Sequence, residues 1–205
     1  MEPTVTIRRA PRRRSTHGLT LVETLVAVTV LGVILAVAAP SLRDLMERRR
    51  VIAAATELAS MINYAKAEAA KQRGGGSDNG FTLHLEPPDD ASTSCARLTT
   101  NSVGDTCGCD VAKADVCVNS TSSIIREFVL DRDTGVSFEA AADDWGDSNR
   151  AITFQRNNYF GFVKNLRLTA TGRHSGAQLR VEFNSVGRVH ICSPSNTIGG
   201  YPSCG

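Results

Sequence analysis

The sequence predicts an α+β protein: a long N-terminal helical spine followed by a β-rich globular head carrying disulfides. Three observations predict it. Residues 19–39, LTLVETLVAVTVLGVILAVAA, contain one charge, Glu23. The stretch behind them keeps apolar residues at helical spacing. Beyond residue 76 the texture changes to short β-branched or alternating runs, and all six cysteines lie after residue 94.

The spine begins behind a basic segment. Residues 1–18 hold five arginines (Arg8, Arg9, Arg12, Arg13, Arg14) against one acid, Glu2. Set those aside and the formal charge of +2 becomes slightly negative, so the basic character belongs to the leader and gives no case for nucleic acid binding by the rest. At ~1.5 Å per residue, a helix over 19–39 reaches across a hydrocarbon core of ~30 Å. Arginines on its N-terminal side predict that the leader stays cytoplasmic and the C-terminal bulk is exported. An ordinary secretory signal competes, because Ala36-Val37-Ala38 supplies an A-x-A pattern. The length of the apolar run, the amphipathic helix that follows directly and the acid inside the run all speak against it. A carboxylate in a membrane helix is costly and is by default functional.

Residues 40–73 read as the second half of the same spine. Pro40 removes one helical hydrogen bond and clashes with the preceding turn, so a kink or local melting is expected there. Leu42, Leu45, Met46, Ile52, Leu58, Met61, Ile62 and Ala65 then mark one apolar face. Arg43, Glu47, Arg48, Arg50, Glu57, Lys66 and Glu68 take much of the remainder. Gly74-Gly75-Gly76 should stop the helix near Arg73, with Lys71 and Arg73 suiting the negative end of its dipole.

The head, 77–205, offers strands at 80–86, 124–130, 135–139, 151–155, 159–164, 166–171, 178–184 and 186–191, with a hairpin loop over 171–176. A polar, Cys-rich insertion is placed at 87–123. Six cysteines confined to the exported part imply three disulfides. Cys192 and Cys204 bracket a tail, 192–205, rich in Pro, Gly and Ser, and pairing them would close it. Of Cys95, Cys107, Cys109 and Cys117, the close pair Cys107 and Cys109 makes a poor bridge, which leaves two connectivities open. A zinc site from these four lacks the closely spaced ligand pairs such sites use, so no metal is assigned.

Nothing in the sequence assembles an enzyme. His17, His84, His174 and His190 are scattered, and the triple glycine lacks the Lys-Ser/Thr of a phosphate loop. Asp143, Asp144 and Asp147 around Trp145 read as a solvated loop, with calcium as the sharper alternative. No cofactor is implied.

Gly18-Leu19-Thr20-Leu21-Val22-Glu23-Thr24-Leu25 resembles the processing motif of type IV prepilins, with Leu19 where Phe is usual. The resemblance implies cleavage of the leader, 1–18, by prepilin peptidase after Gly18, and N-methylation of Leu19. It makes 19–39 both membrane anchor and polymerisation helix. Cleavage frees an α-amino group, and Glu23 lies one turn away, so in a staggered filament Glu23 can neutralise a neighbour's terminus. A snorkelling surface acid is the plainer account of Glu23.

The layout is most similar to the minor pilin family called GspH/FimT/FimU, and Val186-Gly187-Arg188-Val189-His190-Ile191-Cys192 resembles its C-terminal strand. The implied partners are other major and minor pilins or pseudopilins, the peptidase and the inner-membrane assembly platform. The implied role is initiating or capping a type IV pilus, or serving a type II secretion pseudopilus. Some FimT-type members bind DNA through Gly-Arg-x-Arg. Gly187 and Arg188 fit, but His190 replaces the second arginine, and Arg188 reads equally well as an exposed strand residue.

Overall fold

The computed structural model describes residues 20–71, 80–86, 93–100, 122–143, 150–155, 165–184 and 186–205. The chain divides into two compact units, residues 1–41 and 42–205. One helix, α1 (Leu21–Lys71), contributes to both.

In the first unit every described helical residue from Leu21 to Ala39 is exposed, as the apolar run requires if its solvent is lipid or neighbouring helices. Its hydroxyls are satisfied internally. Thr24 Oγ1 donates to the Leu21 carbonyl at 2.8 Å, and Thr29 Oγ1 to those of Val26 and Leu25 at 2.8 and 3.1 Å. Such back-bonding removes the cost of an unpaired hydroxyl in hydrocarbon. The helix is assigned continuously from Leu21 to Lys71, Pro40 included.

In the second unit α1 is amphipathic. Val51, Ala54, Ala55, Leu58, Met61, Ile62, Ala65 and Ala69 form the buried stripe. The expected face therefore holds at Leu58, Met61, Ile62 and Ala65 but not at Leu42, Leu45 and Met46, which are about half exposed. Four of the stripe's members are alanine.

Two four-stranded antiparallel sheets complete the head. The strands are β1 (Phe81–Glu86), β2 (Thr93–Thr100), β3 (Ile124–Asp131), β4 (Val136–Ala141), β5 (Ala151–Phe154), β6 (Leu166–Gly172), β7 (Gln178–Phe183) and β8 (Val189–Cys192). Their orders are β3-β2-β1-β5 and β4-β6-β7-β8. Period-two burial marks β6 and β7 of the second sheet, whereas Phe81 to Leu85 of β1 and Ser94 to Thr99 of β2 are buried on both faces. Phe81, Leu83 and Leu85 pair in register with core residues of β2 and β5, while Leu166, Leu168 and Ala170 alternate with Arg167, Thr169 and Thr171. Phe154 and Phe183, one from each sheet, meet with ring centroids 5.9 Å apart. Ser94 Oγ of β2 accepts the Phe138 N–H of β4 at 3.0 Å, a second link between the sheets.

Two expectations change. Residues 93–100 are not part of a polar insertion but an inner strand, buried at Ser94 through Thr99. Its outward residues Arg97 and Thr99 are polar yet buried: Arg97 is hydrogen-bonded to Glu127 at 2.9 Å, and Thr99 lies 3.4 Å from His84. Those polar residues hide the strand from a hydropathy reading. The last strand begins at Val189 rather than residue 186, because Asn184 and Gly187 make a turn before it. The helix is described as far as Lys71, and residues 72 and 73, like the candidate strand 159–164, lie outside the described residues. The hairpin between β6 and β7 stands as expected.

Candidate assembly segment and head surface

Thr20 and Glu23 open the spine. The Glu23 N–H donates to Thr20 Oγ1 at 3.2 Å and the Thr24 N–H to the Thr20 carbonyl at 3.1 Å, which makes Thr20 the N-cap. Thr-x-x-Glu is the spacing of a capping box, and a carboxylate in the first turn is favoured by the helix dipole. Glu23 is exposed and projects from the first turn of an exposed apolar helix. Gly18 and Leu19 lie outside the described residues. The cap uses only residues behind Leu19, so removal of 1–18 leaves it intact.

Three polar side chains within about one turn of α1 hold the head. Glu47, only 6% exposed, accepts the backbone N–H groups of His174 and Ser175 at 2.9 and 2.8 Å, gripping the β6–β7 turn. Arg48 donates to the Thr197 carbonyl at 2.9 Å in the tail, and Arg50 to the Thr134 carbonyl at 2.8 Å between β3 and β4. Burial pushes the Glu47 carboxyl up, but the hydrogen bonds from His174 and Ser175 outweigh it and hold it below the ordinary carboxylate value. Gly172 completes the fit, since a Cβ there would come within 2.8 Å of Ser175 Oγ and 3.0 Å of Glu47 Cδ. Glu47 was assigned to the polar face. Its spacing to Val51, Ala54 and Leu58 is the signal that could have placed it on the buried one.

Lys66, also on α1, donates to the Gly187 carbonyl and sits 5.7 Å above the Phe183 ring. It thereby supports the turn bearing Arg188. Gly187 has φ +82°, in the left-handed region, and its N–H donates to the Asn184 carbonyl at 2.9 Å. Asn184 Oδ1 accepts the Arg188 N–H at 2.9 Å, so the backbone is fixed while the guanidinium stays exposed. The neighbouring cations are partnered. Arg167 is ion-paired to Asp143, and Glu182 faces both Arg180 Nη1 at 3.6 Å and His190 Nε2 at 3.1 Å. Arg173 and His174 sit on the β6–β7 turn instead. Among the described residues, the structure does not gather Arg167, Arg180, Arg188 and His190 into an uncompensated basic patch.

Cys192 and Cys204 form a disulfide with Cα atoms 5.0 Å apart, as expected from their bracketing of the tail. Cys95 is also disulfide-bonded, whereas Cys107, Cys109 and Cys117 lie outside the described residues. Asp143 is taken by Arg167 and Asn165, and Asp144, Trp145 and Asp147 are likewise outside them.

Residues 13–39 match the family model for the prokaryotic N-terminal methylation motif. No curated protein matches the sequence significantly. Among solved structures, the minor pseudopilin EpsH from the type 2 secretion system of Vibrio cholerae is similar with a TM-score of 0.40 and 10% identity, over 71% of this chain and 98% of that one. That likeness is too loose to argue from. The methylation motif thus lies at the start of the apolar helix, ahead of the antiparallel β head.

Proposed function

We propose that the chain is a minor subunit of a type IV pilus, of the GspH/FimT/FimU kind, which helps initiate or cap the filament. The observation that carries this reading is the match over residues 13–39 to the methylation motif, with Glu23 in the first turn of an apolar helix exposed on all sides. In this reading prepilin peptidase cuts after Gly18, Leu19 becomes the methylated terminus and Glu23 neutralises the amino group of a neighbouring subunit. The leader arginines hold the N-terminus in the cytoplasm, and the head is exported. The work is structural, with pilins and the assembly platform as partners.

A pseudopilus subunit of type II secretion is the alternative, because the N-terminal machinery serves both systems. The disulfide-closed tail favours the pilus, since a head exposed outside the cell gains most from covalent closure. DNA binding through Arg188 is the weaker reading, because Asp143 and Glu182 compensate the cations around it. Mass spectrometry of sheared surface filaments, beside the remaining envelope, tests the proposal. A peptide beginning at methylated Leu19 in the filaments is expected. Its restriction to the envelope favours the pseudopilus, and a terminus after Ala38 or an intact leader overturns the pilin reading.

A further inference from the structure

The base of the head carries an exposed surface that the core does not use. Where the second unit begins, α1 reads Leu42-Arg43-Asp44-Leu45-Met46-Glu47-Arg48-Arg49-Arg50. Leu42, Leu45, Met46 and Arg49 follow steps of three and four, so they share one side of the helix. Leu42 is 56% exposed, and Leu45 and Met46 are each 49% exposed. Leu42 to Met46 follow Ala39, the last residue of the apolar run, by roughly 5–10 Å of helix. The headgroup layer on each side of a bilayer begins at the hydrocarbon boundary and is about 5–7 Å deep.

The cations of this base are of two kinds. Arg48 and Arg50 are bound to carbonyls of the head, and Asp131 and Asp133 lie in the same stretch as Thr134, the partner of Arg50. Arg43, Arg49 and Arg173 are exposed, and among the described residues their guanidinium groups make no ion pair or hydrogen bond. Asp44 is the one exposed acid within residues 42–50. Arg173 reaches this level of the helix because Glu47 grips the next two residues, His174 and Ser175, and its own N–H donates to the Gly135 carbonyl at 2.9 Å. Helical side chains lean toward the helix N-terminus, so Arg43 and Arg49 lean toward the apolar run. A guanidinium binds phosphate oxygens as a fork while its stem covers apolar surface. Unpaired guanidinium groups beside half-exposed apolar side chains therefore complement a surface that presents phosphates above hydrocarbon.

We propose, on the reading that α1 anchors the chain in a membrane, that the base of the head binds the headgroups of anionic phospholipid. Arg43, Arg49 and Arg173 take the phosphates, and Leu42, Leu45 and Met46 enter the interfacial layer. The apolar run holds the chain in a bilayer of any composition, whereas the base selects the lipid around it. The contact belongs to the subunit before assembly. A subunit that leaves the bilayer for a filament gives up these phosphates, so the charge of the lipid sets how readily it leaves. Attraction of this kind is roughly five-fold in affinity per arginine and weakens with salt.

The test uses the full chain in a non-ionic detergent, with phosphatidylglycerol and phosphatidylcholine at equal mole fractions and the bound lipid counted by native mass spectrometry. The wild-type chain is expected to retain phosphatidylglycerol about 10-fold over phosphatidylcholine. Arg43→Gln/Arg49→Gln/Arg173→Gln should lose most of that preference and Arg173→Gln alone part of it, although the leader arginines are intact in both. Lys71→Gln, which removes an exposed cation about 33 Å further along α1, should leave it unchanged. Equal preference in wild type and the triple variant overturns the proposal, and so does a loss in Lys71→Gln as large as in Arg173→Gln. Displacement of the lipid by millimolar inorganic phosphate also overturns it, because the site would then be one for free phosphate. A triple variant that keeps the preference yet fails to enter filaments makes the base a contact between subunits instead. Flotation of the full chain with zwitterionic vesicles checks the anchor separately. A chain that does not float removes the anchor, whereas one that floats without a lipid preference removes the headgroup contact alone.

Discussion

Two stretches of one helix obey different rules. Between Leu21 and Ala39 every described side chain is exposed, Leu21 by 80% and Val37 by 73%. Between Val51 and Ala69 the apolar side chains of one stripe are buried, with Leu58 at 1% and Met61 and Ile62 at 0%. Both stretches are helical and rich in apolar residues, so secondary structure does not separate them. What separates them is where their apolar surface is satisfied. The first has no partner within its own chain among the described residues, and its hydroxyls are bonded to its own backbone. The second is complemented by the sheets, and its polar side chains Glu47, Arg48 and Arg50 are spent on the head. The first is therefore free for lipid and for other subunits, whereas the second is an internal part of the head.

Substitutions that act on only one stretch can break that contrast. Glu23→Ala is expected to have the largest effect, abolishing entry into filaments while membrane insertion, leader removal and the melting temperature of the head stay unchanged. Normal incorporation, measured by immunoblot of sheared filaments, would remove the assembly role from Glu23. Leu58→Ala should do the reverse, costing the head ~2–5 kcal/mol in denaturant unfolding while processing proceeds. An unaltered unfolding midpoint would mean that the stripe does not carry the core.

Smaller effects sharpen the boundary. Cys192→Ser should cost ~3 kcal/mol, the scale for a loop of this size, read as a lowered melting temperature under oxidising conditions only. Glu47→Gln should cost about 1–3 kcal/mol, because it weakens two charge-assisted hydrogen bonds at a buried site. Its pH signature is specific. The folded carboxyl titrates below its ordinary value of 4.5, so its contribution is complete above that value and is lost as pH falls through the lower folded value. Wild type should therefore lose stability relative to Glu47→Gln on acidification below about pH 4.5. Parallel stability curves for the two would show that the Glu47 clamp does not act through its charge.

Much of this was legible from residues alone where the signal is local. The apolar run, the motif around Glu23 and the bracketing cysteines of the tail each depend on neighbours in sequence. Strands β1, β3, β4, β6 and β7 were also readable, since one face of each is apolar enough to alternate. Strand β2 was not, because the buried polar residues Arg97 and Thr99 erase the contrast between inside and outside. The surroundings of Arg188 were not readable either, and Arg167 and Arg180 are each paired with an acid. Tertiary structure and strand register decide which acids stand beside which side chains, as Asp143 beside Arg167 and Glu182 beside His190.

Sequence by itself determined that an apolar helix of membrane-spanning length precedes a β-rich head, because apolar runs and alternation are short-range properties of the chain. Only the tertiary structure decided that Glu47 is an internal anchor rather than a surface acid and that β2 is an inner strand. Those outcomes depend on contacts between residues up to 128 positions apart. What a polar side chain contributes there is set by the partner that replaces its water, and no local pattern records which partner that is.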